Sequence, residues 1–434
     1  MQMKLFKPAI LGGKPENSLI FPAYNTIGQE EKEAVMAVLD SGELSGFVAG
    51  NIPAFYGGKQ VQALEKEFCK QFDVKYAVSV NSATSGLYCM LMAMGIGPGD
   101  EVITSPYTMH ATASSILQCG AVPIFADIEE ETFGLDPISV QNNITKNTKG
   151  ILAVNIFGHA ARLNELKKIG DNNNLWMLED NSQAPGGEVE GGAFTATVGK
   201  AGVFSFNRHK TMQCGEGGVV LTNDKDVADR MMLVRNHGEV VVEAWKLDDI
   251  SNTMGQNLRM SEMEAAVALC QIKKLVGFSN SRINLAERIS KGLEDVDGIS
   301  APAVREGCKH VYYFYVMKYD ELKIGLSRDN FVKAINAEGY YLRGGYLKPI
   351  YLEPMFKQKI CFGKNGFPFT ANSRNDEINY VKGLCPVAER LNDKEVILTN
   401  IIYPPLTVDD MDGFVKAIKK IISHAKEIES HFSN

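Results

Sequence analysis

Residues 203–223 of the chain, VFSFNRHKTMQCGEGGVVLTN, contain the pattern on which the fold prediction depends. The segment begins and ends with apolar runs that are typical of β-strands. Between these runs lie a polar turn with Lys210 and then the glycine-rich residues 215–218. Glycine lets a backbone approach a ligand closely. An isolated lysine is usually a surface charge, but a lysine between two strands and beside glycines indicates a binding site.

The composition is that of a globular protein, because 45% of the 434 residues are hydrophobic and 22% are charged. A formal net charge of −7 offers no basic surface for nucleic acid or for an anionic membrane. No apolar run approaches the ~20 residues of a membrane-spanning helix, and no signal peptide is recognised. The eight cysteines are too widely spaced for a zinc or redox motif. We therefore expect a cytoplasmic protein with reduced thiols, no metal site, and no nucleic-acid or membrane partner.

Strand-like and helix-like patterns alternate through the first half of the chain. The strand-like runs are residues 76–80, 101–104, 122–125, 150–155, 176–179, 202–206 and 219–222. This alternation predicts an α/β fold with a mostly parallel sheet that helices cover on both faces. Ligands of such sheets bind beyond the carboxyl ends of the strands. Residues 84–85, 180–183 and 205–210 all follow predicted strands, so three separate segments can converge on one pocket.

The patterns divide the chain into three parts. Residues 1–60 are expected to form an N-terminal arm, a helix, and a loop at residues 42–58 that is too long for a simple turn. Residues 61–280 form a large α/β domain, and residues 281–434 form a smaller α+β domain. The patterns in the last third predict helices at residues 262–275, 281–293, 328–338 and 409–428, a strand at 311–319, and an aromatic, glycine-rich strand and loop at 339–349.

Residues 81–86, NSATSG, precede a helical pattern at residues 87–94. Small hydroxyl residues at such a place cap a helix, and the free N–H groups and dipole of a helix start also attract phosphate. The pattern alone supports both interpretations equally. Residues 95–99, GIGPG, are similar to a dinucleotide fingerprint but follow a helix instead of a strand, which argues against a nicotinamide enzyme.

Lys210, Asp180 after a strand, and the hydroxyl-rich helix start together indicate pyridoxal 5′-phosphate (PLP) as the cofactor. A lysine forms a Schiff base with the aldehyde of PLP. An aspartate keeps the pyridine nitrogen protonated, so that the ring accepts the electrons of a substrate carbanion. The helix start and the hydroxyl group of Ser205 are suited to the phosphate. Each residue alone is weak support, but the combination in this order is specific.

Six segments of the chain carry a family resemblance. They are residues 81–87 (NSATSGL), 95–106 (GIGPGDEVITSP), 120–127 (GAVPIFAD), 179–184 (EDNSQA), 204–218 (FSFNRHKTMQCGEGG) and 255–275 (GQNLRMSEMEAAVALCQIKKL). With them the sequence resembles the DegT/DnrJ/StrS family of PLP-dependent sugar aminotransferases, from about Phe21 to the C-terminus. The resemblance implies the aspartate-aminotransferase-like fold type I, with a large domain around a mostly parallel sheet and a smaller C-terminal α+β domain.

The resemblance also implies roles for individual residues. Lys210 is the expected Schiff-base lysine and the base that moves a proton between the substrate carbon and the cofactor carbon. Asp180 is the expected partner of the pyridine nitrogen, and Gln183 is expected to contact the ring hydroxyl. The hydroxyl groups expected to bind the phosphate are those of Thr84, Ser85 and Ser205.

A homodimer with shared active sites follows from the same resemblance, because Asn257 matches a residue that reaches the phosphate of the neighbouring subunit. Ser45, in the loop at residues 42–58, and Arg259 lie where the family places substrate contacts. At the position of Met109 the family has an aromatic residue stacked on the cofactor ring. Either Met109 packs its sulfur against the ring or Tyr107 takes that place, and both alternatives remain open.

The implied reaction transfers an amino group from glutamate or glutamine to a keto-sugar linked to a nucleotide, with a cyclitol acceptor left open. One branch of the family has a histidine in place of the lysine and removes a sugar hydroxyl. The spacing from Ser205 to Gly215 places Lys210, not His209, at the critical position, which disfavours a PLP-dependent sugar dehydratase. A non-catalytic regulatory protein with a PLP fold is also disfavoured. Such a protein would not need to keep all four of the residues Lys210, Asp180, Gln183 and Ser205.

Overall fold

Helices and strands follow one another through the chain largely as the sequence pattern predicts. The structure is a computed structural model that describes residues 6–433. The strands are β1 Tyr76–Val80, β2 Glu101–Thr104, β3 Val122–Phe125, β4 Thr148–Val154, β5 Trp176–Asp180, β6 Ala201–Ser205, β7 Gly218–Thr222, β8 Ile299–Ser300, β9 Tyr315–Tyr319, β10 Arg343–Gly344 and β11 Val396–Thr399. The helices are α1 Gln29–Ser41, α2 Lys59–Phe72, α3 Ala83–Ala93, α4 Ala111–Gln118, α5 Pro137–Asn142, α6 Leu163–Asn173, α7 Lys225–Arg235, α8 Glu262–Leu293, α9 Glu321–Ile324, α10 Arg328–Ala337, α11 Pro354–Lys357, α12 Pro386–Arg390, α13 Val408–Ser423 and α14 Ala425–Ser433.

The first seven strands form one sheet in the order β1-β7-β6-β5-β4-β2-β3. Strand β7 is antiparallel to both of its neighbours, and the remaining pairs are parallel. All strands except β7 therefore end at the same edge of the sheet, where ligands of such sheets bind. The mostly parallel sheet of the sequence prediction is confirmed.

Helix α3 lies unusually close to this sheet. A side-chain carbon added at Gly86 would lie 2.7 Å from Val203 Cγ2 and 3.0 Å from Val220 Cγ2. Only a residue without a side chain lets the helix pack so near to β6 and β7. The helix begins at Ala83, four residues before the predicted start, because the side chain of Ser82 accepts a hydrogen bond from Ser85 N and caps it.

The second sheet has the order β10-β11-β9-β8 and is antiparallel throughout. Its strand β9 is shorter than the predicted strand at residues 311–319. Val311 N and Tyr313 N bond instead to the carbonyl groups of Gly158 and Phe157, in the loop after β4. This segment therefore ties the second sheet to the first and cannot also pair with a strand. The predicted closing helix is interrupted at His424, which separates α13 from α14.

The two helices predicted at residues 262–275 and 281–293 form the single helix α8 of 32 residues, so that prediction was wrong. A glycine inside a helix costs about 1 kcal/mol, but Gly277 does not interrupt this one. The helix is continuous because its first half packs into the core beneath the first sheet and its second half into the core beside the second sheet. The domain division at residue 280 lies within this helix and stays a prediction.

None of the helices in residues 6–433 is long and apolar enough to cross a membrane.

His159 is a buried residue of the connection between the two sheets. Its Nδ1 donates to the Ala160 carbonyl at 2.8 Å, and its Nε2 accepts from Arg305 N at 3.2 Å. Burial lowers the pKa of His159 to about 4, although the Ala160 carbonyl acts in the opposite direction. The ring is therefore neutral in the folded protein at neutral pH.

We predict that acid destabilises the protein partly through His159. As the pH falls below ~6.5, the His159 side chain of the unfolded chain becomes protonated. In the folded chain the same side chain stays neutral until the pH reaches about 4. The free energy of unfolding should fall by on the order of 3 kcal/mol from this group across that window. Urea unfolding at several pH values checks this. His159→Gln should reduce the pH dependence, whereas His431→Gln, at an exposed position, should not. Equal pH dependence in both variants contradicts the assignment.

Candidate active site

The start of α3 presents a cluster of hydroxyl groups at the carboxyl end of β1. Ser82 Oγ accepts from Ser85 N at 3.1 Å, and Ser85 Oγ donates to Asn81 Oδ1 at 2.6 Å. Thr84 and Ser85 are both half-buried. The first amide groups of a helix have no partner within the helix, and its dipole attracts an anion to this end. The helix start is therefore suited to a phosphate group.

Gly218 brings this helix start next to Ser205. In the sheet, Gly218 pairs with Val80 on one side and with Ser205 on the other. A side-chain carbon at Gly218 would lie 2.9 Å from Ala83 N and 2.8 Å from the Phe204 carbonyl oxygen. A glycine at this position thus lets the ends of three strands and the first turn of α3 meet. Thr84, Ser85 and Ser205, which the sequence placed in separate segments, lie at one edge of the sheet.

Asp180 is the last residue of β5, beside β6, and is buried. Its Oδ2 accepts from Thr112 Oγ1 at 2.8 Å, and its Oδ1 accepts from Ser182 N at 3.1 Å. These two donors fix the plane of the carboxylate and leave lone pairs on both oxygens for a further donor. Thr112, on α4, was not identified from the sequence, since a threonine in an apolar helix pattern carries no distinguishing signal.

Gln183 lies three residues beyond Asp180, and both ends of its amide are held. Its Oε1 accepts from Phe157 N at 2.8 Å, and its Nε2 donates to Tyr346 Oη at 3.1 Å. Phe157 has a φ of +58°, a left-handed conformation that is costly for this residue type and is typical of functional sites. Tyr346 was missed as a site residue, although it belongs to the aromatic, glycine-rich segment at 339–349.

Lys210 lies in the loop between β6 and β7 and is half-buried. Its Nζ is 4.7 Å from the centre of the Tyr313 ring, and it forms no ion pair with any other residue between 6 and 433. Burial lowers the pKa of Lys210, while Tyr346 and Asp180 act in the opposite direction. A lowered pKa increases the fraction of neutral amine at neutral pH, and the neutral amine is the nucleophile and the base.

The structure separates the two candidates for stacking on a cofactor ring. Tyr107 is fully buried, donates from Oη to Asn392 Oδ1 at 3.2 Å and accepts from Tyr346 N at 3.1 Å. It cannot move to a new position without breaking both bonds. Met109 is 52% exposed, and its sulfur accepts from Ala111 N. The geometry favours Met109 for this contact.

Three expected residues are wholly or partly exposed and make few contacts. Asn257 is exposed, and its Oδ1 accepts from the half-buried Arg259 through Nε at 2.8 Å. The neighbouring Leu258 carbonyl accepts from Asn81 N at 2.9 Å, so this segment lies beside the start of α3. Ser45 is exposed in the loop at 42–58, and no hydrogen bond among residues 6–433 joins it to Lys210, Asp180 or Gln183.

The chemistry of these groups fits PLP. The cofactor has a phosphate, a ring nitrogen and an aldehyde, which need an anion site, a carboxylate and an amine. The start of α3 with Ser205 supplies the first, Asp180 the second and Lys210 the third. The close backbone packing at Gly218 brings the start of α3 and Ser205 together, so that both can contact one phosphate group.

The architecture, a mostly parallel seven-stranded sheet with a separate antiparallel sheet, is that of the PLP-dependent aminotransferases of fold type I. The chain belongs to the DegT/DnrJ/EryC1/StrS aminotransferase family, whose sequence profile matches residues 25–418.

Individual relatives agree with this assignment. The chain is 30% identical over 406 residues to the spore coat polysaccharide biosynthesis protein SpsC of Bacillus subtilis, covering 92% of this chain and 96% of that protein. An aminotransferase structure from Psychrobacter cryohalolentis is similar with a TM-score of 0.80 and 28% identity, covering 94% of this chain and 100% of the other. DesV of S. venezuelae, solved in complex with a ketimine intermediate, has a TM-score of 0.75 and 27% identity, with 91% and 94% coverage.

We predict that Gly218→Ala displaces the start of α3 and weakens the anion site. The added carbon would lie within 3.0 Å of backbone atoms of Phe204 and Ala83, so one of these segments must move. We expect the affinity for pyridoxamine 5′-phosphate, measured by calorimetry, to fall about tenfold or more.

The matched control is Gly97→Ala, where an added carbon meets no atom within 4 Å. Gly97→Ala should leave the affinity unchanged. Wild-type affinity in Gly218→Ala would mean that the phosphate is bound elsewhere.

Proposed function

We propose that the protein is an aminotransferase that carries PLP on Lys210 and transfers the amino group of glutamate or glutamine to the ketone of a nucleotide-linked sugar. The observation that carries this proposal is the state of Lys210. Lys210 is half-buried, its amine lies 4.7 Å from the centre of the Tyr313 ring, and it forms no ion pair with a carboxylate of the described residues. Burial lowers the pKa of this amine, while Tyr346 and Asp180 act in the opposite direction. A surface lysine would be hydrated and would keep an ordinary pKa.

When bound, PLP supplies an electron sink that stabilises negative charge on the substrate carbon. Asp180, oriented by Thr112, would pair with the ring nitrogen and keep it protonated. Gln183, held by Phe157 N and Tyr346 Oη, orients the ring through its hydroxyl group. The phosphate is bound by the start of α3 and by the hydroxyl groups of Thr84, Ser85 and Ser205.

Lys210 moves the proton. Its neutral amine would accept the proton of the substrate carbon and release it again later in the transfer, and the lowered pKa keeps the amine available as this base. Tyr313 covers one side of the amine and excludes water from it. In the dehydratase branch a histidine replaces this lysine, whereas in this chain the lysine is present and the adjacent His209 is exposed to solvent.

The acceptor is proposed to be a sugar because the family resemblance implies sugar substrates, and because the similar protein SpsC is a spore coat polysaccharide biosynthesis protein. Ser45 and Arg259 contact this substrate in the proposal. Arg259 supplies a positive charge at the rim of the site, which suits the phosphates of a nucleotide-linked sugar. A cyclitol acceptor would lack that anionic group.

Lys210→Ala tests the reaction type. The variant should lose steady-state amino transfer by several orders of magnitude, because both the attachment point and the base are removed. Borohydride reduction of the wild-type protein followed by peptide mapping should label Lys210, and a label on another lysine contradicts the assignment. Mass analysis of the wild-type product should show the ketone oxygen replaced by an amine. Loss of a hydroxyl group without gain of nitrogen would support a dehydratase instead.

The working form in this proposal is a homodimer whose sites are completed across the interface by Asn257. The loops at residues 42–58 and 238–254 pack on each other, since Trp245 Nε1 donates to Asn51 Oδ1 at 3.3 Å and the ring centres of Phe55 and Trp245 are 5.3 Å apart. These loops leave several large apolar side chains at least 47% exposed, namely Val48, Ile52, Val240, Ile250 and Met254. Exposed apolar surface of this kind is typical of subunit interfaces.

Mixing two inactive variants tests the shared sites. In a hybrid dimer of Lys210→Ala and Asn257→Ala, one of the two sites has both residues intact. Random subunit exchange should therefore restore up to about a quarter of the wild-type activity. Mixing Lys210→Ala with Asp180→Ala, which changes the same subunit's expected site, should restore none. No recovery with the first pair, when exchange is verified by mass, contradicts the shared site.

A further inference from the structure

Tyr24, in the arm before α1, touches the loop of Lys210. Its hydroxyl group donates to the carbonyl oxygen of Thr211 at 2.7 Å. Thr211 directly follows Lys210 and is buried. The backbone next to the lysine is therefore held by a residue nearly two hundred positions away in the sequence.

The ring of Tyr24 is in turn held by a buried cation. The guanidinium carbon of Arg282, on α8, lies 4.8 Å from the centre of the Tyr24 ring, and Arg282 is only 3% exposed. Its Nη1 donates to the Tyr312 carbonyl at 3.3 Å, while its Nε has no partner among residues 6–433. A buried cation with so few hydrogen bonds depends on the face of an aromatic ring, so Arg282 and Tyr24 fix each other.

Tyr313, the residue that follows Tyr312, makes the last of these contacts. The ring of Tyr313 covers the amine of Lys210, with 4.7 Å between Nζ and the ring centre. Tyr313 N donates to the Phe157 carbonyl at 2.8 Å, which fixes the position from which that ring extends. The contacts thus lead from Thr211 through Tyr24 and Arg282 to Tyr313 and back to the amine.

We infer that Tyr24 is a positioning residue for Lys210, which it holds at the backbone end while Tyr313 holds the amine end. A lysine side chain has four rotatable bonds, so a fixed amine requires both ends to be restrained. The inference rests on the proposed role of Lys210. It assigns to the N-terminal arm a part in placing the reactive amine.

Tyr24→Phe isolates this effect, because the arm has other anchors. Tyr403 Oη donates to the Pro22 carbonyl at 3.0 Å, and Gln271 Nε2 donates to the Thr26 carbonyl at 3.0 Å. The phenylalanine ring can also keep the contacts with Arg282 and with the Tyr403 ring, whose centre is 5.3 Å from that of Tyr24. The matched control is Tyr403→Phe, which also removes one phenol–carbonyl bond of the arm but none to the Lys210 loop.

The experiment uses the full-length protein freed of cofactor. Stopped-flow absorbance measures the rate at which Lys210 captures added PLP, and calorimetry measures the affinity for pyridoxamine 5′-phosphate, which has no aldehyde and cannot bond to the lysine. In Tyr24→Phe we expect capture to slow about fivefold or more, with the pyridoxamine phosphate affinity within about twofold of wild type. Tyr403→Phe should match wild type in both measurements.

Three results would overturn the inference. These are wild-type capture in Tyr24→Phe, an equal slowing in Tyr403→Phe, and a parallel loss of pyridoxamine phosphate affinity, which would indicate a general distortion of the site. A wild-type protein that does not capture PLP on Lys210 would instead overturn the proposed function itself.

Discussion

The close approach of α3 to the strands beneath it is the constraint on which the site depends. Gly86 lets the helix lie against Val203 and Val220, and Gly218 lets its first turn meet the ends of β6 and β7. Neither contact tolerates even a methyl group without movement of backbone or of packed valines. Because the helix start is pressed against the sheet edge, its amide groups and dipole are directed to the same place as Ser205, Asp180 and Lys210. The local absence of two side chains thus fixes the position of the start of α3 at the edge of the sheet.

The fold could be predicted from the sequence wherever local pattern and tertiary packing agree. Strands β1, β2 and β3 have the predicted bounds, since each is a short apolar run between clear turn residues. The prediction failed where a distant partner decided the structure. Helix α8 continues through Gly277 because two cores bury its two halves, and residues 311–313 leave strand β9 because Gly158 and Phe157 offer their carbonyl groups. Neither partner can be inferred from a single sequence window.

The candidate site likewise contains residues that the sequence predicted and residues that it did not. Lys210, Asp180, Gln183 and Ser205 follow strands in a recognisable order, so their common location was predictable from chain order and sheet topology. Their supporting residues were not. These residues are scattered along the chain, and each belongs to a residue type that is common in ordinary cores. Helix α4 contains Thr112, the loop after β10 contains Tyr346, the segment before β9 contains Tyr313, and the N-terminal arm contains Tyr24. What distinguishes them is a single hydrogen bond or ring contact, which only the folded arrangement provides.

Helix α8 has a mechanical consequence as well. Its 32 residues form one rod that is embedded at one end beneath the large sheet and at the other beside the small sheet. Melting of either half removes the support of the other, because a helix that loses its tertiary contacts is unstable in water. Amide hydrogens along the whole rod should therefore exchange with solvent in one cooperative opening, and the two sheets should share a single unfolding transition. We therefore expect a chain with two separate sheets to unfold as a single unit.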